Sequence, residues 1–82
     1  MDADETASLD LLRIGQSARV ARMDLKPMEA QRLMEMGLTV GTRVTLIRRA
    51  PLRYPVVIQA RGSQLSLRKT VARSIRVHIP EA

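Results

Sequence analysis

From residue 43 onward, apolar and polar side chains alternate with a period of two, and this pattern limits the possible folds more than any other feature of the sequence. Val44 and Leu46 alternate with Arg43 and Thr45; Val56, Ile58 and Ala60 alternate with Val57, Gln59 and Arg61. Leu65 and Leu67 alternate with Ser66 and Arg68, and Ile75, Val77 and Ile79 with Ser74, Arg76 and His78. Each segment reads as a short strand with one apolar face. The breaks between them are equally clear: two prolines in "APLRYP", Gly62-Ser63 as a hairpin signal, and "KTVA" as a turn. Short strands with one polar face must find cover for the other. The expectation is that they close on themselves, giving a mainly β fold: a small, partly open SH3-like barrel of about five strands, with one short helix after the first strand.

The upstream third supplies that first strand and helix. Residues 1–8 are polar and acidic without apolar periodicity, which predicts a flexible tail, and a single domain is expected over residues 9–80. "IG" at residues 14–15 marks a turn, and Ala18 and Val20 alternating with Ser17 and Arg19 mark the strand. Pro27 suits the first turn of a helix, where its missing N–H costs nothing. Ala30, Leu33 and Met34 share one helical face, Glu29 and Arg32 can pair on the other, and Met28, Met34 and Met36 read as adaptable core filler. Gly37 is placed to end the helix in a left-handed conformation, with Leu38 folding back onto Leu33. Gly41 turns the chain into the next strand. A strand follows this pair of glycines, not a helix N-terminus, so they are structural turns, as is Gly62, and not a phosphate loop.

The charge distribution narrows the function. The 82 residues carry a formal charge of +6. Residues 1–35 hold five basic and seven acidic side chains, whereas residues 36–80 hold nine basic ones and no acid before Glu81. Half of the chain therefore offers a basic surface without ion-pair partners of its own, read either as a solvated face or as a docking face for an anionic partner. Cysteine is absent, which suits a reducing cytosol and excludes thiolate metal sites and thiol nucleophiles. The acidic start does not resemble a signal peptide, and no apolar run is long enough to span a membrane, so a cytoplasmic protein without membrane insertion is expected.

Several chemistries are excluded by what is missing. His78 is the lone histidine, on the outward side of the last strand by alternation, so no metal site and no cofactor are expected. No serine has a base nearby in sequence, no paired carboxylates fall in the strand region, and the chain reads as no enzyme. Polyproline recognition needs aromatic-lined grooves, and the sequence has one tyrosine and neither Phe nor Trp. The same shortage argues against stacking on single-stranded nucleic acid, leaving weak nonspecific binding and, as the alternative function, a basic nucleic-acid-binding or transcription-regulatory module.

"RLMEMGLTVGTRVTLIRRAPL" followed by "PVVIQARGSQLSLRKTVARSIRV" resembles the FeoA family, small cytosolic proteins of bacterial ferrous-iron transport. It is also similar to the C-terminal SH3-like module of iron-dependent repressors related to the diphtheria toxin repressor. The resemblance runs from about Leu11 to Val77 and rests on the order and spacing of Leu33 to Gly37, Gly41, Ala50-Pro51-Leu52, Pro55, Gly62, Leu67-Arg68, Ala72 and Ile75. It implies an accessory or regulatory role beside FeoB, a membrane permease with a cytosolic GTPase domain, and an iron context without an iron ligand. In the family a Gly-Asp pair usually precedes the second proline of the loop; here Arg53-Tyr54 stands there. The candidate partner-binding residues are Arg48, Arg49, Leu52, Arg53, Tyr54 and Arg68. Arg48, Arg49 and Arg53 flank the loop and are candidates to stabilise phosphate charge on that GTPase in trans. Tyr54 has two readings, an interface anchor or a lid folded over the core. Open strand edges also make pairing with a second copy an expectation.

Overall fold

The period-two segments do form strands, and they assemble into one sheet. The structure, a computed structural model, describes residues 5–79. Residues 1–4 and 80–82 lie outside the described residues; with them fall the first half of the tail expected over 1–8, the last residue of the domain expected over 9–80, and Glu81. Along the chain come β1 (Ala7–Ser8), a 3-10 turn (Leu9–Leu11), β2 (Ser17–Met23), α1 (Pro27–Glu35), β3 (Arg43–Arg49), β4 (Val56–Ala60), β5 (Ser63–Leu67), α2 (Lys69–Ser74) and β6 (Ile75–His78). All neighbouring strands are antiparallel, in the order β1-β6-β2-β3-β4-β5.

This arrangement corrects the expected barrel. The sheet is open, with β1 and β5 as its edges, and two helices accompany it, so the fold is mixed α/β and not an SH3-like barrel with one helix. The premise that the apolar face needs cover was sound, but the cover is not made by closing the strands. Leu9, Leu12, Leu33, Leu38, Val71 and Ala72 come from helical segments and loops and are buried in the same core as the inward residues of every strand from β2 to β6. "KTVA", expected as a turn, starts α2, and α1 follows the second strand because the short β1 precedes it. Register irregularities between Val20 and Arg22 and between Leu46 and Arg48 bend the two central strands, as bulges do.

Helix α1 forms and ends for local reasons. Pro27 occupies its start. At its end the Leu38 N–H donates to the Leu33 carbonyl at 2.9 Å and the Gly37 N–H to Met34 at 3.0 Å, the paired bonds of a Schellman cap. Gly37 has φ +97°, a conformation that a Cβ penalises, and Leu33 and Leu38 are both buried. Leu33 is the helix's buried contribution to the core. Met28, Met34 and Met36, expected as core filler, are exposed, because the sheet faces only one narrow side of so short a helix.

Candidate functional site

The loop between β3 and β4 is built by its prolines and tied at its base. The Arg53 N–H donates to the Ala50 carbonyl at 2.8 Å and the Ala50 N–H to Pro55 at 3.1 Å, which folds "APLRYP" into a compact projection. The Tyr54-Pro55 peptide is cis, and Arg53 sits at φ +84°. Leu52, 91% exposed, is at the tip.

Beneath this loop lies a charged clamp that joins distant parts of the chain. Asp10 is 6% exposed. The Arg49 guanidinium donates to its carboxylate at 3.2 Å, to its own main-chain carbonyl, and to the Leu12 carbonyl at 3.0 Å. Arg53 approaches the second carboxylate oxygen at 3.7 Å. Burial pushes the Asp10 carboxyl up, but hydrogen bonds from Tyr54 and Arg49 and the charges of Arg49 and Arg53 outweigh it, so the carboxyl stays below its ordinary value. Arg53 is held above its own ordinary value by its hydrogen bond with Tyr54 and by the Asp10 charge.

Tyr54 organises the basic side of the loop. Its ring packs against the core, with the Arg53 guanidinium 6.0 Å and the Lys69 ammonium 5.9 Å from its centroid. Together with Asp10, Arg73 and Arg76, these residues line a hollow of about 550 Å³. Two further depressions flank the loop. Leu33, Met36, Pro55, Leu67 and Val71 floor an apolar groove of about 310 Å³ between α1 and β5. Across this groove Arg68 pairs with Glu29 at 2.6 Å, instead of the expected pairing of Glu29 with Arg32. On the other side Arg48, Pro51, Val57 and Leu65 line a hollow of about 520 Å³.

The residues named from the sequence thus fall into different environments. Arg48 and Leu52 are exposed beside the loop, Arg53 and Tyr54 face the basic hollow, Arg49 is spent on Asp10, and Arg68 straps the groove. Gly41 and Gly62 have positive φ in the turns expected of them. Sequence reasoning missed Asp10, Lys69 and Arg73: the first looked like part of the acidic start of the chain, and the others like a turn. His78 is exposed, and among the described residues no cluster of three His, Cys, Asp or Glu side chains could hold a metal ion.

Comparison with known proteins decides the family. The model of the FeoA domain matches residues 7–79. The chain belongs to the FeoA family. The FeoA domain is a non-catalytic accessory module. This FeoA domain is 32% identical over 71 residues to the Fe(2+) transport protein A/Fe(2+) transporter FeoB fusion protein of Porphyromonas gingivalis; the match covers 87% of this chain and 8% of that protein. The chain therefore spans a small fraction of that relative. The solution structure of FeoA from Chlorobium tepidum superposes with a TM-score of 0.84 at 35% identity, covering 88% of this chain and 69% of that one. IdeR of T. acidophilum shares the fold at 16% identity, with a TM-score of 0.82 over 98% of this chain and 37% of that one. No helix among the described residues of this FeoA chain is long and apolar enough to cross a membrane.

Proposed function

We propose that this FeoA-family chain is a cytoplasmic accessory protein of ferrous-iron uptake that docks on the cytosolic GTPase region of a FeoB-type permease through the basic surface around residues 48–54. The observation that carries the reading is the loop tip: Leu52, 91% exposed, stands between the exposed cations Arg48 and Arg53. An apolar anchor inside a rim of arginines has the composition of a binding hot spot. The relative in which an iron transport protein A is fused to FeoB supports the choice of partner. Fusion keeps two modules at high effective concentration, which serves a contact too weak to persist between separate chains.

The test is an NMR titration of labelled protein with the purified GTPase domain of the cognate FeoB-type permease, at near-physiological salt. Shifts should cluster on Arg48, Leu52, Arg53 and Tyr54 and disappear in Leu52→Asp. Absence of shifts, with the protein folded, rejects the GTPase region as the partner.

A second reading, a nucleic-acid or transcription-regulatory module, draws support from the outer sheet face. There Arg19 lies directly opposite Arg43 on the neighbouring strand. Like charges in such positions repel unless an anion neutralises them. A steep loss of DNA binding between low and moderate salt, without sequence preference, would reduce this to general electrostatics.

A further inference from the structure

The hollow beside Tyr54 concentrates basic side chains that outnumber the acids facing it among the described residues. Lys69 and Arg73 lie one turn apart on α2, Arg76 follows on β6, and Arg53 reaches in from the loop. Among the described residues Asp10 is the only acid on its wall, and that carboxylate is already buried and hydrogen-bonded by Arg49. Arg53 touches it only at 3.7 Å and keeps its guanidinium largely in solvent. Arg76 is anchored through its guanidinium to Thr6, which fixes its position at the rim. Among the described residues neither Lys69 nor Arg73 has a carboxylate partner. Gathering these cations without a counterion is unfavourable by itself.

Two further observations show that the gathering is arranged. The Tyr54 ring holds the cations of Arg53 and Lys69 at nearly equal distance, 6.0 and 5.9 Å, so both are set around one place. Arg53 also adopts φ +84°, where a side chain is strained and glycine is not. The Arg53 side chain stands beside the Tyr54 ring, on the wall of the hollow.

We propose that this hollow binds a small soluble anion with two or more adjacent phosphoryl groups. Arginine forks match phosphate oxygens in pairs and lysine adds a point charge, so a multiply charged phosphoanion satisfies groups that a monocarboxylate would leave unpaired. The concave wall favours a compact ligand, and the site is independent of the docking reading, because it is assayed with this protein and a salt alone.

The probe is pyrophosphate, titrated into labelled protein at near-physiological ionic strength, with orthophosphate alongside. Saturable shifts are expected on Arg53, Tyr54, Lys69 and Arg73, with orthophosphate weaker. Loss of charge-assisted hydrogen bonds in Arg53→Gly, or in Lys69→Gln with Arg73→Gln, should weaken pyrophosphate about tenfold or more. Arg19→Gln with Arg43→Gln, on the outer sheet face, should change it less than about twofold, the residual effect of screened charge. Arg53→Gly is also expected to melt no lower than the parent, since it relieves the left-handed strain, which separates loss of binding from loss of fold. Equal weakening in both double variants, equal affinity for the two anions, or no saturable shift would overturn the proposal. So would cosedimentation with phosphatidic acid vesicles in the absence of pyrophosphate binding, which would assign the site to a lipid headgroup.

Discussion

Arg49 reaches back 39 residues to Asp10 and binds its carboxylate at 3.2 Å, while a second guanidinium nitrogen takes the carbonyls of Asp10 and Leu12. One side chain thereby fastens the short entry segment to the end of β3, under the loop that carries the candidate interface.

Removing either partner leaves the other charge poorly compensated. Asp10→Asn and Arg49→Met should each destabilise the fold by about 2 to 3 kcal/mol, below the full range for buried pairs because the Arg49 side chain is still 19% exposed. In a domain of this size that lowers the melting temperature by roughly 10 to 20 °C. The double variant should lose little more than the worse single one, since the two substitutions remove the same interaction. Thermal denaturation of the three variants checks this, and strictly additive losses would count against a coupled pair.

The same carboxylate sets part of the acid response. Its folded pKa lies below the unfolded value, so the unfolded chain takes up a proton more readily. Its stabilising contribution is complete above the unfolded carboxylate value of about 3.9 and is lost as pH falls through the lower folded value. Urea denaturation between neutral and strongly acidic pH should show this limb in the parent and a flatter one in Asp10→Asn. Superimposable profiles, offset by a constant, would remove Asp10 from the explanation.

Gly37→Ala tests the helix end. The position has φ +97°, and an added Cβ would meet the Arg61 Cδ at 3.4 Å. A loss of about 1 kcal/mol is expected, mostly from the left-handed backbone, since the Arg61 side chain can move aside. A melting temperature equal to the parent's would show that the cap tolerates a side chain.

The hairpin between β4 and β5 offers the opposite outcome. Its two turn residues, Arg61 at φ +51° and Gly62 at φ +79°, both have the positive φ that a type I′ turn requires. Asparagine tolerates that first position better than arginine does. Arg61→Asn should therefore stabilise the fold by about 0.5 kcal/mol in chemical denaturation.

What could be read from the sequence was what is decided locally. Pro27 at the helix start, the Leu33-Gly37-Leu38 cap and the alternating strands each depend on neighbours within a few residues, and each was visible. Two features depend on groups far apart. Whether the sheet closes is decided by Leu9, Leu12, Leu38, Val71 and Ala72, whose burial no local pattern announces. The Asp10 clamp joins one of the acids at the start of the chain to a strand that alternation marks only as bearing arginines. Helix α2 was missed because its six residues are too few for a helical period and include the β-branched Thr70 and Val71. With it went Lys69 and Arg73, so the sequence showed Arg53 and Tyr54 without the cations that face them.

The sheet order also decides how such a unit can be joined to others. Ala7 pairs with Val77 and Ser8 with Arg76, so the incoming and outgoing chain run side by side at one border, while β5 forms the opposite border. Among the described residues the two ends of the chain therefore share one border of the sheet, and the β5 border is left clear of both. Such a placement suits a unit that is joined to other modules.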